Sequence, residues 1–160
     1  MTLLHRLSKL NLKTNNGPFV FSLLIFSFLG FLDAMYLTII HYKHVIPPCS
    51  IARGCEAVLT SHYATFFGIP LAILGVAFYS SVIILTMIFL QRPGEKTFIP
   101  LIIAGKIGII VSAILFYIQA VVLHAFCQYC LASEGVTIVI AITILIKYVS
   151  AREAIIEEAL

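Results

Sequence analysis

The chain has 160 residues, 61% of them hydrophobic and 11% charged, with a net charge of +3, and its mean hydropathy is +1.10. A soluble domain averages roughly 45–50% apolar and about 25% charged residues, so a soluble globular fold and a disordered chain are both excluded and an integral membrane protein is expected. The charge is modest and forms no long basic run, which argues against nucleic acid as a partner, and the length suits a single domain spanning residues 1–160.

A membrane helix needs about 20 mostly apolar residues to cross roughly 30 Å of hydrocarbon. After a tail carrying Arg6, Lys9 and Lys13, a first span is predicted at about residues 19–41, interrupted by Asp33. It is too long for the apolar region of a signal peptide and lacks an obvious cleavage site, so it is expected to be a retained anchor. A polar connection follows at 42–68, then a second span at about 69–91, a third at about 98–124 with Lys106, and a fourth at about 131–149 with Glu134 near its start and Lys147 near its end. Pro70 and Pro100 fall where the second and third spans begin, where a missing N–H does little harm. Residues 151–160 read as a short polar helical continuation. The apolar runs are continuous rather than alternating, which excludes a β-barrel and leaves helices. The fold class is therefore all-α, an integral membrane four-helix bundle. The aromatic and apolar residues between Glu56 and Phe67 suggest a short interfacial helix in the outer loop.

Cations set the expected direction. The tail, the connection with Arg92 and Lys96, and the carboxyl end with Lys147 and Arg152 are richer in Lys and Arg than the other two connections, which hold Lys43 and Arg53. The positive-inside rule then places both termini in the cytoplasm. Loop 42–68 and the turn near Phe126 face the periplasm, the cell exterior or a lumen.

All four cysteines lie on that outer side, where disulfides persist. Cys49 and Cys55 are spaced C-x5-C in the loop; Cys127 and Cys130 form a C-x-x-C at the mouth of the fourth span. Two pairs on one face can pass a disulfide between them by thiolate exchange. A helix start offers unpaired N–H groups and the positive end of the dipole, which lower a thiol pKa. From that geometry Cys127 is expected to be the more exposed cysteine, and Cys130, about a turn deeper, to face the bundle interior. Two other uses of these thiols stay open on spacing alone. Structural disulfides could brace the outer loops of a non-enzymatic protein, although C-x-x-C closes too short a loop to gain much. A zinc site could use the cysteines with His62 or His124, although C-x5-C departs from the usual ligand spacing. A metal-ion carrier is disfavoured because the spans hold no cysteine and few polar pairs. Small residues Gly30, Gly75, Gly105 and Gly108 are expected to permit close helix approach.

The run Cys49-Ser50-Ile51-Ala52-Arg53-Gly54-Cys55, then Ser61, then Phe67-Gly68-Ile69-Pro70, then Phe126-Cys127-Gln128-Tyr129-Cys130 resembles the vitamin K epoxide reductase family, in particular its bacterial branch. The likeness extends over nearly the whole chain. It implies a four-helix bundle around a quinone pocket near the outer face. It also implies an electron path: a thioredoxin-fold (DsbA-like) partner acting in trans reduces the Cys49–Cys55 disulfide, Cys55 exchanges with Cys127, and Cys130 meets the quinone, ubiquinone or menaquinone. The family's hydroxyl residue six positions after the second loop cysteine matches Ser61. Glu134 stands where the vitamin K branch has a substrate-binding tyrosine, and residues 69–91 contain none of that branch's asparagine. These two departures rank vitamin K quinone or epoxide reduction behind oxidation of a thiol partner.

The implied function is a quinone-dependent membrane thiol–disulfide oxidoreductase that supports disulfide bond formation. Cys49, Cys55, Cys127 and Cys130 carry its chemistry; Cys130, Glu134 and Ser61 face the quinone; no resident metal is expected. Cys49 is the sulfur expected to meet the partner, because Pro47 and Pro48 hold it on an extended, accessible stretch. Glu134 lies one turn from Cys130 on the same helix face. It is expected either to carry a proton or a hydrogen bond to the quinone, or to sit high enough to reach water. Asp33 and Lys106 are expected either to pair across the bundle or, for Lys106, to snorkel inward.

Overall fold

In the computed structural model the described residues are 16–49 and 54–158, with side chains described through residue 153. The tail cations Arg6, Lys9 and Lys13, and Ser50 to Arg53 of the loop, lie outside them. Helix α1 covers Gly17–Tyr42, α2 Cys55–Leu59, α3 Leu71–Gln91, α4 Glu95–Tyr117 and α5 Gln128–Glu158. Four of these, counting α4 together with the turn that follows it, are long and apolar enough to cross a membrane, so the chain is an integral membrane four-helix bundle with little sheet.

Each long helix buries a narrow stripe with alternating three- and four-residue steps. In α1 the stripe is Val20, Leu23, Ser27, Gly30, Ala34 and Leu37; in α3 it is Tyr79, Val82, Thr86 and Phe89; in α4 it is Phe98, Leu101, Gly105, Gly108 and Ser112. Helix α5 contributes Glu134, Thr137, Ala141 and Ile144. A seven-residue repeat of this kind keeps one seam facing its neighbours in a bundle of nearly antiparallel helices. The helices form a ring: α1 packs on α3 and α5, and α4 packs on the same two. The diagonal between α3 and α5 is spanned by Tyr79, whose hydroxyl lies 2.8 Å from the Ser133 carbonyl, 2.8 Å from Ser133 Oγ and 2.9 Å from Thr137 Oγ1. Gly30 makes room for the Tyr79 ring, since a Cβ there would collide with it. Gly75, Gly105 and Gly108 also meet neighbouring helices closely, as their small size predicts.

One end of the ring is closed by Phe19, Phe89 and Phe98, fully or nearly fully buried, with ring centroids 5.6 to 6.1 Å apart. Aromatic edges meeting faces at this spacing pack favourably beyond the area they bury. The other end stays open beneath the long loop.

Three local expectations are corrected. The loop helix does not run from 56 to 67: α2 stops at Leu59, a 3₁₀ turn takes His62–Ala64, and Thr65–Phe66 (β1) pairs antiparallel with Ile69–Pro70 (β2). Phe67 and Gly68 both adopt positive φ, +50° and +80°, as a two-residue hairpin turn demands, and that turn stops helix propagation. Pro100 lies inside α4 rather than in its first turn, because the helix begins at Glu95. The third span is not a plain helix to residue 124 either: α4 ends at Tyr117 and a π turn occupies Ile118–Val122. The carboxyl-terminal helical continuation is present through Glu158.

Candidate active site

The outer loop is pinned to the C-x-x-C segment at two places. At Gly54 the backbone lies so close to residues 125 and 126 that a Cβ would sit 2.7 Å from the Phe126 nitrogen and 2.9 Å from Ala125 Cβ. Only glycine tolerates that approach. At the other side of the loop pair, the Pro48 carbonyl accepts from Tyr129 Oη at 3.2 Å and from Gln128 Nε2 at 3.4 Å. The two middle residues of the C-x-x-C therefore grip the residue before Cys49.

Between these pins the sulfurs converge. Cys49 and Cys55 are joined in a disulfide. Cys55 and Cys127, both essentially inaccessible, share one buried cluster with Val58, and Cys49 and Cys130 pack against it. Because Cys49 and Cys55 are bonded to one another, a zinc site made of four thiolates does not describe this arrangement.

Cys127 and Cys130 are free thiols with their sulfurs 2.7 Å apart. Cys127 occupies the cap position of α5, and its sulfur also accepts the Cys130 N–H at 3.3 Å. The Cys130 thiol hydrogen bond is the main influence holding the Cys127 thiol below the ordinary cysteine range; burial opposes it, and backbone N–H groups of Cys130 and Tyr129 assist. The expected exposures are reversed. Cys127 is 0% exposed and Cys130 is the partly accessible one, because docking at Gly54 lays Cys55 and Val58 over Cys127.

Cys130 reaches a cavity of about 860 Å³ that runs from the outer loop into the bundle. That volume is typical of a small-molecule site. Its walls come from α1, the loop, α3, α4 and α5 and are mostly apolar, with Ser61, Tyr79, Cys130, Ser133, Glu134 and Thr137 among the polar exceptions. Such a surface fits an apolar, lipid-soluble molecule better than a charged metabolite. The Ser61 hydroxyl donates to the Val58 carbonyl at 2.7 Å, so it braces the end of α2 while facing the cavity.

Glu134 is 8% exposed and lines the cavity, so the reading that places it in outer water does not hold. Its Oε1 accepts from Gln119 Nε2 at 2.8 Å. Gln119 Oε1 in turn accepts the Cys127 N–H at 2.9 Å. Sequence reasoning does not single out Gln119, although it continues the seven-residue seam of α4 (Gly105, Gly108, Ser112, then 115 and 119), and an amide on such a seam is costly unless it has a task. Tyr79 escapes it too; an aromatic in an apolar run carries no signal of its own.

Asp33 and Lys106 do not pair. Lys106 is exposed on the outer surface of α4, where lipid would surround it. Asp33 is half-buried, and its Oδ2 has no hydrogen-bond partner among the described residues. Pro47 is buried while Pro48 is exposed, so the stretch before Cys49 is accessible on one side only.

A search of curated proteins finds no match to the chain. The family model described as the vitamin K epoxide reductase family matches residues 21–145, which takes in all four cysteines and the polar wall of the cavity. Four apolar helices, a loop disulfide docked on a C-x-x-C and a match over most of its length lead to one conclusion: this chain belongs to the vitamin K epoxide reductase family, a family of membrane oxidoreductases.

Proposed function

We propose that the protein reoxidises a thioredoxin-fold, DsbA-like partner on the outer face of the membrane and passes the electrons to a quinone, thereby supporting disulfide bond formation. The observation that carries this reading is the convergence of both sulfur pairs in one buried cluster, with Cys130 alone of the C-x-x-C pair lining a mostly apolar cavity. The charge distribution supports cytoplasmic termini and an outward-facing loop.

In the proposed cycle the partner's thiolate attacks Cys49, the more accessible sulfur of the loop pair. Cys55 leaves as a thiolate; the partner's second thiolate then attacks the mixed disulfide, forming the partner's own disulfide and releasing Cys49. Cys55 then attacks Cys127 of an oxidised C-x-x-C, and Cys130 leaves as thiolate. Cys49 attacks Cys55 and restores the loop disulfide, releasing Cys127. Two electrons and two protons have then moved from the partner to Cys127 and Cys130. A quinone, when bound, supplies a two-electron, two-proton acceptor. The chain's own groups do the rest. Cys130 presents its sulfur to the cavity, and the apolar walls exclude water. Glu134 holds a proton or a hydrogen bond one turn from that sulfur, and Ser61 adds a hydroxyl at the rim.

The potential sets a condition on the acceptor. A DsbA-type partner lies near about −120 mV, so the acceptor must be still more oxidising for the transfer to run outward-to-inward.

The test combines purified protein, reduced DsbA-type oxidase and decylubiquinone, following quinone absorbance. Quinone loss that stops in Cys130→Ser, with reduced Cys49 and Cys55 accumulating, is the expected result. Correctly oxidised protein that consumes no quinone would instead favour a passive disulfide brace.

A further inference from the structure

The cycle above gives no task to one buried polar residue. Gln119 is 3% exposed and lies in the π turn Ile118–Val122. Turns of this type are frequent at functional sites. Both ends of its side-chain amide are used: Oε1 accepts the Cys127 N–H at 2.9 Å, and Nε2 donates to Glu134 Oε1 at 2.8 Å. Its backbone carbonyl accepts the Ala125 N–H at 3.1 Å. The same residue therefore folds the 123–127 segment back over the bundle and holds a carboxyl on the cavity wall. A leucine at this place would fill the seam without any buried polar cost. What the amide adds is a rigid link between two parts of the redox site that lie on different elements.

We propose that Gln119 is a positioning residue, its amide fixing the Cys127 backbone and the Glu134 carboxyl in one geometry so that the C-x-x-C and the cavity wall act as a unit. This rests on the reading of Cys127, Cys130 and Glu134 as parts of one redox site. The competing route is direct. Glu134 follows Cys130 by one helical turn and can act on its sulfur through space with no help from Gln119.

A double-mutant cycle separates the two routes. The full chain in lipid nanodiscs, with Cys49→Ser and Cys55→Ser to isolate the inner pair, is equilibrated with dithiothreitol. The oxidised fraction of Cys127–Cys130 is then read by alkylation and mass spectrometry. Glu134→Ala is expected to change the thiol–disulfide equilibrium constant by about tenfold, equivalent to about 30 mV for a two-electron couple. In a Gln119→Met background that change is expected to fall to about twofold or less. An effect of Glu134→Ala that stays the same in the Gln119→Met background would overturn the proposal in favour of the direct route. Should Gln119→Met fail to fold, Gln119→Leu also removes both hydrogen bonds and fills the seam with a different apolar shape, and the same loss of coupling is expected. A merely structural amide would lower the melting temperature and leave the coupling intact. Wild-type protein inert toward decylubiquinone would sink the quinone reading while the thiol cycle could still be read.

Discussion

Cys127 combines complete burial with a cap position, and the two act in opposite directions on its thiol. The hydrogen bond from Cys130 and the N–H groups at the start of α5 prevail, so its thiolate forms more readily than that of an ordinary cysteine. Below its pKa the sulfur is protonated; above it the thiolate accumulates. Reduced protein lacking the loop cysteines is therefore expected to show a thiolate absorbance transition with a midpoint below about 8.5, the ordinary value. Cys130→Ala, which removes the main cause, should move that midpoint upward. The linked stability follows the same sign: it is fully present above the unfolded value and lost as pH falls through the lowered folded one. An ordinary or raised midpoint would refute this account. That the four cysteines gather at one end of the bundle was legible from their positions alone, whereas their relative exposure was not. Position along a helix start says which sulfur is nearer the end, but the loop that folds over that end decides which is covered.

The outer loop works as an element through its contacts rather than through its own secondary structure. A five-residue helix has little stability by itself; α2 is held because Gly54 lies flat against residues 125 and 126 and because Val58 joins the cysteine cluster. Gly54→Val is expected to lift the loop from Cys127. Reduction of the loop pair by the partner should survive, while quinone consumption falls by at least about tenfold and reduced Cys49 and Cys55 accumulate, as read by mass-shift alkylation. Equal turnover in this variant would mean that the loop undocks anyway during each cycle. The composition of residues 56–67 suggested one helix because their apolar and aromatic content suits an interface. The hairpin at Phe67 and Gly68 overrides that tendency, since two successive positive φ angles end any helix.

At the scale of the molecule, the arrangement is a ring of four helices sealed by phenylalanines at one end and capped by a disulfide-bearing loop at the other. The cations Arg92 and Lys96 lie at the connection between α3 and α4, and the positive-inside rule assigns that end to the cytoplasm. Alkaline phosphatase, active only outside the cytoplasm, should be inactive when fused at the carboxyl end and active when inserted in loop 42–68. The reverse pattern would turn the protein over and place its thiols in a reducing compartment, where the proposed cycle could not run.

Membrane residence, the number of spans and the two sulfur pairs follow from the sequence by itself, because hydrocarbon demands long apolar helices and tolerates few exceptions. Which face of each helix turns inward does not follow so directly. Lipid is as apolar as a protein core, so residues such as Phe28, Ile84 and Ile110 are exposed on the bundle surface without any hydrophobic contrast to mark them. The interior is marked instead by small and polar residues: Ser27, Gly30, Thr86, Gly105, Ser112 and Gln119. Only the tertiary structure decided which of these line a cavity and which merely let helices meet. The link from Cys127 through Gln119 to Glu134 joins residues brought together by a π turn and a loop, and no local pattern records a contact that exists only after the chain has folded back on itself.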